Sequence, residues 1–237
     1  GRTPNPDIFC NKYIKFEAFR KFALENGFEM IAMGHYAKKI VKNGYSYLCK
    51  AKDLNKDQSY FLGQVNEEQL SMALFPLAEI TKPEVRKIAE KLNLTIAKKK
   101  DSTGVCFIGE RNFRQFLKNY IPAQPGKIVD IKSKKIIGDH DGVYYYTIGQ
   151  HRGLNIGGQH GFDNLPFFVV GKDVEKNILY VGQEPNKYQK SYVAHLIKVN
   201  WLTPDRPTSN IECMAKFRYR AKDLSLIHIS EPTRHLR

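Results

Sequence analysis

The spacing of apolar residues divides this chain into a helical first half and a β-rich second half. Before residue 121, apolar positions recur every three or four residues, which predicts amphipathic helices. These helices are expected at residues 11–26, 67–73, 83–92 and 111–120. Short apolar runs indicate strands between them, at residues 29–33, 45–51 and 94–97. The alternation of helices and strands predicts an α/β region.

From residue 121 onwards the pattern changes to short β runs separated by Gly, Asp and Asn. Strands are predicted at residues 127–130, 135–137, 143–148, 167–170 and 178–181, with a hairpin connection at residues 170–178. A further β segment is predicted at residues 192–199 and 211–220. A domain boundary is therefore expected between residues 113 and 125.

Two helices have recognisable ends. Thr81 and Glu84 form a capping box that begins the helix at residues 83–92. Gly27 is a typical stop signal for the first helix. The buried stripe of that first helix is expected to consist of Tyr13, Phe16, Phe19, Phe22 and Ala23.

The chain is strongly basic. Its 237 residues contain 38 Lys and Arg against 24 Asp and Glu, which gives a formal net charge of +14. Such an excess favours a polyanionic partner, and the many Tyr and Phe among the basic residues favour nucleic acid. No apolar run is long enough for a bilayer and no signal peptide is visible, so a soluble, cytoplasmic protein without a membrane partner is expected.

The four cysteines, Cys10, Cys49, Cys106 and Cys213, are too dispersed for a disulfide scaffold or a zinc ribbon. The histidines do not cluster either, so no structural metal is expected. Cys49 and Cys213 lie in alternating apolar segments and are interpreted as buried packing residues.

The other two cysteines lie in marked motifs. Cys106 follows three lysines, at residues 98–100, and a Ser-Thr-Gly turn, which favours its thiolate. Cys10 is expected at or just before a helix N-terminus, where the partial positive charge has the same effect. We therefore interpret Cys10 and Cys106 as a redox couple.

Six motifs together resemble the bacterial tRNA-specific 2-thiouridylases, in that family's order and spacing. They are Thr-Pro-Asn-Pro-Asp-Ile-Phe-Cys-Asn (3–11), Gly-His-Tyr-Ala (34–37), Lys-Asp-Gln-Ser-Tyr-Phe-Leu (56–62), Lys-Lys-Lys-Asp-Ser-Thr-Gly-Val-Cys-Phe-Ile-Gly-Glu (98–110), Pro-Ala-Gln-Pro-Gly (122–126) and Phe-Arg-Tyr-Arg (217–220). The resemblance runs from residue 1 to about residue 223.

The resemblance implies an α/β fold in three parts. Residues 1–114 would be the remainder of a Rossmann-like PP-loop catalytic domain, residues 115–187 a small, mainly β central domain, and residues 188–223 part of a C-terminal β-barrel. Residues 224–237 do not continue the expected barrel pattern and are interpreted as an atypical, artefactual tail.

The resemblance also implies a reaction. ATP, with Mg²⁺ as its counterion, adenylates the carbon-2 oxygen of the wobble uridine of tRNA, and a cysteine persulfide then delivers sulfur. The partners would be tRNA and a sulfur donor such as a cysteine desulfurase or a sulfur-relay protein.

Individual roles follow from the motif positions. The resemblance makes Cys106 the persulfide carrier, Cys10 the nucleophilic resolving thiol that pairs with it in a disulfide, and Asp7 the acid/base. The remaining implied contacts are Asn5, Pro6 and Asp7 with the target base, Gly34 with ATP, and His35, Lys56, Asp57, Gln58, Arg218 and Tyr219 with tRNA.

Upstream of residue 1 the family carries a Ser-Gly-Gly-x-Asp-Ser loop that cradles pyrophosphate, and this sequence does not contain it. The fragment alone is therefore expected to be inactive in thiolation. Three alternatives remain open: a non-catalytic RNA-binding module, a sulfur carrier or redox protein that uses the Cys10/Cys106 pair, and another PP-loop enzyme. The first leaves the cysteine motifs unexplained, and the second leaves the charge unexplained.

Overall fold

The computed structural model describes residues 5–99, 113–157, 161–184, 187, 193–196, 199–204 and 206–228. Its contacts divide the chain into two units. We call Asn5–Asp101 with Ile197–Arg237 the N-terminal unit, and Gly1–Pro4 with Ser102–Leu196 the central unit. The residues after Ile197 thus group with the first hundred residues, whereas the sequence prediction placed residues 188–223 in a separate part.

The N-terminal unit begins with one continuous helical run of three segments, α1 (Pro6–Phe9), a π-helix (Cys10–Ala18) and α2 (Phe19–Glu25). The run starts five residues earlier than the predicted residue 11, because Asn5 caps it through a bond from the Ile8 N–H at 3.4 Å and Pro6 occupies the first turn. It ends before Gly27, whose φ of +80° supplies the predicted stop.

The π-helical winding explains why the predicted apolar stripe is only partly buried. The N–H of Phe19 bonds to the carbonyl of Ile14, five residues back, so the side chains rotate away from the 3.6-residue period. Phe16 and Ala23 are buried, as predicted. Tyr13, Phe19 and Phe22 are each about half exposed, at 53%, 47% and 58%, so this part of the prediction was wrong.

Two small sheets follow the helix. β1 (Ile31–Ala32) pairs in parallel with β4 (Ala73–Leu74), and β2 (Ala37–Lys42) pairs antiparallel with β3 (Tyr45–Lys50). The predicted strands at residues 29–33 and 45–51 are confirmed. β2 escaped prediction because half of its residues are lysines, and β4 because its first residue, Ala73, was assigned to the preceding helix.

The remaining helices of this unit are short. A 3₁₀ turn covers Ser59–Leu62, α3 covers Glu67–Ser71, and α4 covers Lys82–Lys91. The predicted capping box of α4 is present, with Thr81 and Glu84 bonding reciprocally. Residues 94–97 form successive turns instead of the predicted strand. Asn93 adopts a φ of +52° after the helix, and Ala97 then bonds back to the Leu94 carbonyl.

The central unit contains α5 (Phe113–Lys118) and a four-stranded sheet. Its strands are β5 (Gly126–Asp130), β6 (Ile136–His140), β7 (Phe168–Asp173) and β8 (Ile178–Gly182), in the order β6-β5-β8-β7. β5 and β8 are parallel, and the other pairs are antiparallel, so the predicted β7–β8 hairpin is confirmed. Ile128, Val169, Leu179 and Val181 are fully buried in its core.

Two more of the predicted strands are not found among the described residues. Residues 143–148 begin with a 3₁₀ turn, Val143–Tyr145, because Gly142 has a φ of +150° and its carbonyl accepts from the Tyr145 N–H. Residues 193–196 and 199 also lie outside strands. The other residues of the predicted segment 192–199 lie outside the described part of the chain.

A hairpin of β9 (Ile211–Ala215) and β10 (Leu224–His228) completes the N-terminal unit. β9 ends before residues 217–220, which form a turn instead of the predicted strand end. Residues 224–228 were expected to leave the β pattern, but their alternating Leu-Ser-Leu-Ile-His sequence pairs with β9 in register. The other tail residues lie outside the described part of the chain.

The described elements confirm an α/β region followed by a mainly β unit. No helix among the described residues is both long and apolar enough to cross a membrane.

Candidate active site

Cys10 lies in the second turn of the first helical run, close to Asp7. The N–H of Cys10 donates to the carbonyls of Pro6 and Asp7. Because Cys10 is the fifth helical residue, its amide is already paired and it lies past the turn where the N-terminal field is strongest. The sequence expectation that Cys10 is at or before the helix N-terminus was therefore wrong. Asn5, Pro6 and Asp7 are the residues that form that end, and all three are partly buried.

Three cysteines are described, and each has a free thiol: Cys10, Cys49 and Cys213. Cys49 and Cys213 are partly exposed, which corrects their interpretation as buried packing residues. Cys106 and the residues around it, 100–112, lie outside the described residues. Its persulfide role and its disulfide with Cys10 therefore stay predictions.

A buried pair of polar side chains, Asn11 and His35, lies beside Cys10. The Nε2 atom of His35 is 2.9 Å from Oδ1 of Asn11. The amide nitrogen of Asn11 donates to the Asp7 carbonyl at 2.9 Å and, more weakly, to the Phe61 carbonyl at 3.5 Å. The His35 ring packs on Phe16, with 5.8 Å between ring centroids. His35 is thus a buried structural neighbour of the Cys10 turn.

Burial lowers the pKa of His35 from 6.5 to about 4, and the nearby positive charge of Lys15 adds to the effect. The imidazole is therefore neutral at physiological pH. It neither repels the cations of the site nor attracts a phosphate by charge.

This lowered pKa predicts a pH-dependent stability. In the unfolded chain the imidazole regains its ordinary pKa of 6.5, so that between pH 6.5 and about 4 the unfolded state binds the proton more readily. As the pH is lowered from 6.5 to about 4, the free energy of unfolding should therefore decrease by up to about 3 kcal/mol, since one pKa unit corresponds to about 1.36 kcal/mol. Urea titrations at a series of pH values measure this slope.

The matched controls for this slope are two glutamine variants. His35→Gln should lose most of the acid-side slope, whereas His151→Gln, which changes an exposed histidine of the central unit, should retain it. Equal slopes in His35→Gln and the unsubstituted chain would contradict the assignment.

The turn that follows β3 holds the residues predicted to contact tRNA, and most of their polar atoms bind the protein itself. Gln58 accepts from the Tyr36 N–H at 3.0 Å and donates its own N–H to the Tyr36 carbonyl at 2.7 Å. Asp57, only 3% exposed, accepts from the Ala51 N–H at 3.1 Å and from the Ser59 hydroxyl at 2.8 Å. Lys56 is partly buried next to them. Gln58 thus fixes Tyr36, the residue that follows His35, and Asp57 fixes the turn itself.

An aromatic and basic surface forms where residues 217–220 meet the 3₁₀ turn. The Tyr219 ring lies 4.5 Å from the Phe61 ring and 6.4 Å from the Tyr60 ring, between centroids. The Tyr60 hydroxyl donates to the Phe217 carbonyl at 3.2 Å. The guanidinium of Arg220 lies 5.4 Å from the centre of the Tyr219 ring, and the Arg218 side chain is exposed. This cluster presents cations beside rings on which bases can stack.

Gly34 follows β1, at the edge where parallel strands of an α/β sheet offer a ligand their carboxyl ends. It is exposed, and a methyl group added to it would meet no atom within 4 Å. Its open backbone fits a nucleotide contact. No group of three His, Cys, Asp or Glu side chains among the described residues could hold a metal ion.

The structure therefore brings four of the predicted site residues, Asp7, Cys10, His35 and Tyr219, into one chain of contacts. From the turn of Asp7 and Cys10 the contacts lead to Asn11. From Asn11 one branch leads to His35, and the other leads through Phe61 of the 3₁₀ turn to Tyr219. Sequence reasoning missed Asn11, Tyr60 and Phe61 as connecting residues, although each lies inside a recognised motif. The signal for Asn11 was its polar amide on a helix face next to Cys10.

Comparison with known sequences identifies the family. Residues 1–110 match the tRNA methyl transferase HUP domain, and residues 114–183 match the tRNA methyl transferase PRC-barrel domain. Two proteins named tRNA-specific 2-thiouridylase MnmA, from Streptococcus agalactiae serotype III (strain NEM316) and Streptococcus sanguinis (strain SK36), are each 53% identical over 227 residues. The chain belongs to the tRNA-specific 2-thiouridylase family. The alignments cover 94% of this chain but only 60% of each relative.

The family assignment confirms the resemblance seen in the motifs. The HUP-domain match ends just past the Cys106 motif, and the PRC-barrel match covers the four-stranded sheet of the central unit. The 2-thiouridylase relatives extend beyond the region that this chain matches. The activity of the full-length relatives is therefore only proposed for this chain.

Proposed function

We propose that this chain is the sulfur-transfer and RNA-binding part of an ATP-dependent tRNA-uridine 2-sulfurtransferase. Its substrate is the wobble uridine of tRNA, whose carbon-2 oxygen is replaced by sulfur. The observation that carries the proposal is the continuous set of contacts from the Cys10 turn, through Asn11 and the 3₁₀ turn, to the basic aromatic surface at Tyr219. A thiol and a base-stacking platform are thereby held on one framework.

The proposed chemistry uses two thiols in sequence. Cys106 accepts a sulfane sulfur from a donor such as a cysteine desulfurase or a sulfur-relay protein, and carries it as a persulfide. The outer sulfur of the persulfide bonds to carbon 2 of the base and displaces the adenylated oxygen as AMP. The Cys10 thiolate then attacks the inner sulfur, on Cys106, so that the sulfur–sulfur bond breaks, its electrons stay on the transferred sulfur and the Cys10–Cys106 disulfide forms without an external oxidant. Asp7 lies one helical turn before Cys10 and is the group assigned to move a proton.

The RNA is proposed to bind across both ends of this framework. Asn5, Pro6 and Asp7 surround the entry to the Cys10 turn and are assigned to the target base, which an anticodon loop can present unstacked. Arg218 and Tyr219 are assigned to phosphate contact and stacking. For Lys56, Asp57, Gln58 and His35 we propose a role in shaping the surface, since Asp57 and His35 are buried.

ATP is proposed to contact Gly34, with Mg²⁺ as its counterion. When bound, the nucleotide activates the carbon-2 oxygen of the base by making it a good leaving group. The open backbone at Gly34 supports this placement. The proposed partners and reaction place the protein in the cytoplasm.

Methyl transfer is the second candidate, because the matched domains are described as parts of a tRNA methyl transferase. The relatives are named 2-thiouridylases, and a pair of cysteine motifs suits sulfur chemistry. A labelled methyl donor and a labelled sulfur donor therefore separate the two readings.

The proposal predicts where sulfur is loaded. Incubation with a cysteine desulfurase and ³⁵S-cysteine should place a reductant-sensitive label on Cys106, because persulfides form on accessible thiolates. The Cys106→Ser variant should lose essentially all of the label. Gel fluorography and peptide mapping measure it.

Cys49→Ser is the matched control and should retain the label in full. The same preparations should bind tRNA with an affinity that falls steeply as salt is raised, which a redox carrier without RNA would not show. Label on Cys49 or Cys213 in place of Cys106 would overturn the sulfur-transfer assignment.

A further inference from the structure

The side chain of Asn11 joins three parts of the candidate site. It is only 3% exposed, so each of its polar atoms needs a partner within the protein. Its Nδ2 reaches the carbonyl of Asp7 in the Cys10 turn and that of Phe61 in the 3₁₀ turn, and its Oδ1 faces His35. One amide thus connects the thiol-bearing helix, the support of the Tyr219 ring and a buried imidazole.

These contacts fix the orientation of the amide and the position of a proton. Carbonyl oxygens only accept, and so Nδ2 must face Asp7 and Phe61. Oδ1 is then left for His35 and can only accept, which places the imidazole proton on Nε2. Nδ1 becomes the acceptor. It is buried and has no hydrogen-bond partner among the residues that the structure describes.

We propose that Asn11 is a positioning residue of the thiolation site, which holds His35 in the tautomer protonated on Nε2 and fixes the Asp7–Cys10 turn against Phe61. Asn11 thereby holds the turn that carries Asp7 and Cys10 against the 3₁₀ turn, whose Phe61 supports the Tyr219 ring, so its amide contributes to RNA binding through this framework. This RNA-dependent part rests on the proposed function, whereas the tautomer does not.

The tautomer is read by NMR of the ¹⁵N-histidine-labelled chain at about pH 8, where histidine is neutral. Correlations from the ring carbon protons to the two nitrogens show which one carries the proton. We expect a single Nε2-protonated form for His35 in the unsubstituted chain. Asn11→Asp keeps the acceptor and should keep this tautomer, while Asn11→Ala should give the other tautomer or a mixture.

The functional part is read by tRNA affinity at equal folded fraction, established by urea titration. Asn11→Ala should weaken binding of a tRNA transcript by about tenfold, the equivalent of one lost hydrogen bond. Asn26→Ala is the matched control. Asn26 is exposed, also donates its amide to a carbonyl of the same helical run, that of Phe22 at 2.8 Å, and should leave both the tautomer and the affinity unchanged.

The outcomes separate the two ideas. An Nδ1-protonated His35 in the unsubstituted chain, or an unchanged tautomer in Asn11→Ala, overturns the positioning role. A changed tautomer with unchanged tRNA affinity overturns its contribution to binding. If the unsubstituted chain does not bind tRNA, the proposed function fails, and the tautomer still decides whether Asn11 orients His35.

Discussion

The Phe16→Ala substitution is expected to lower the free energy of unfolding of the N-terminal unit by about 3–5 kcal/mol, the usual cost of removing a buried phenyl ring. Phe16 is fully buried and packs against Phe75, with 6.3 Å between ring centroids, and against His35. Its removal would leave a cavity between the helical run and the strands. Urea unfolding followed by circular dichroism measures the loss.

Phe22→Ala is the control for this prediction. Phe22 lies on the same helical run but is 58% exposed, so its substitution should change the stability by no more than about 0.5 kcal/mol. The contrast tests directly which face of the helical run is buried. Similar losses for the two variants would show that both rings are buried.

The first helical run shows what the sequence could and could not predict. Its existence, its stop at Gly27 and the burial of Phe16 and Ala23 followed from the apolar pattern. Its start did not, because Asn5 and Pro6 were interpreted as a loop although Asn before Pro is a helix-start signal. The outward turn of Tyr13, Phe19 and Phe22 could not be predicted either, since the residues that form a π-helix carry no distinctive composition.

The secondary structure was predictable where the residues that interact are close in sequence. The β7–β8 hairpin and the capping box of α4 depend on residues close in sequence, and both were predicted. The pairing of β1 with β4 joins residues 31–32 to residues 73–74, and neither strand exceeds two residues. Such short parallel pairs are stabilised by tertiary packing, which a local pattern does not contain.

The motifs located the candidate site, but they did not supply the connections within it. Nothing in the sequence places Tyr219 against Phe61, because 158 residues separate them and only the folded chain brings their rings to 4.5 Å. Burial could not be predicted from the sequence either. Asp57 lies in a polar segment that is typical of an exposed turn, yet its carboxylate is buried and accepts a hydrogen bond from the backbone. Polar residues in a motif can thus serve the framework as well as the ligand.

The second large expected effect is on the rate at which sulfur is released from the Cys106 persulfide. In the proposed reaction the Cys10 thiolate can attack the inner sulfur of the Cys106 persulfide. The sulfur–sulfur bond of the persulfide breaks, hydrosulfide leaves with the bonding electrons, and a Cys10–Cys106 disulfide forms without any external oxidant. Labelled sulfur should therefore leave the chain slowly even in the absence of RNA.

We expect Cys10→Ser to retain this label at least about tenfold longer, because a serine hydroxyl is a far weaker nucleophile toward sulfur than a thiolate. The half-life of the label and the mass of the Cys10–Cys106 peptide pair under non-reducing conditions measure the step.

Cys213→Ser is the matched control, since Cys213 is a free, partly exposed thiol in β9, and should release label at the unsubstituted rate. Release slowed by Cys213→Ser but not by Cys10→Ser would assign the resolving thiol to the hairpin. Release slowed only by Cys10→Ser, with the disulfide recovered in the unsubstituted chain, would assign the resolving thiol to Cys10.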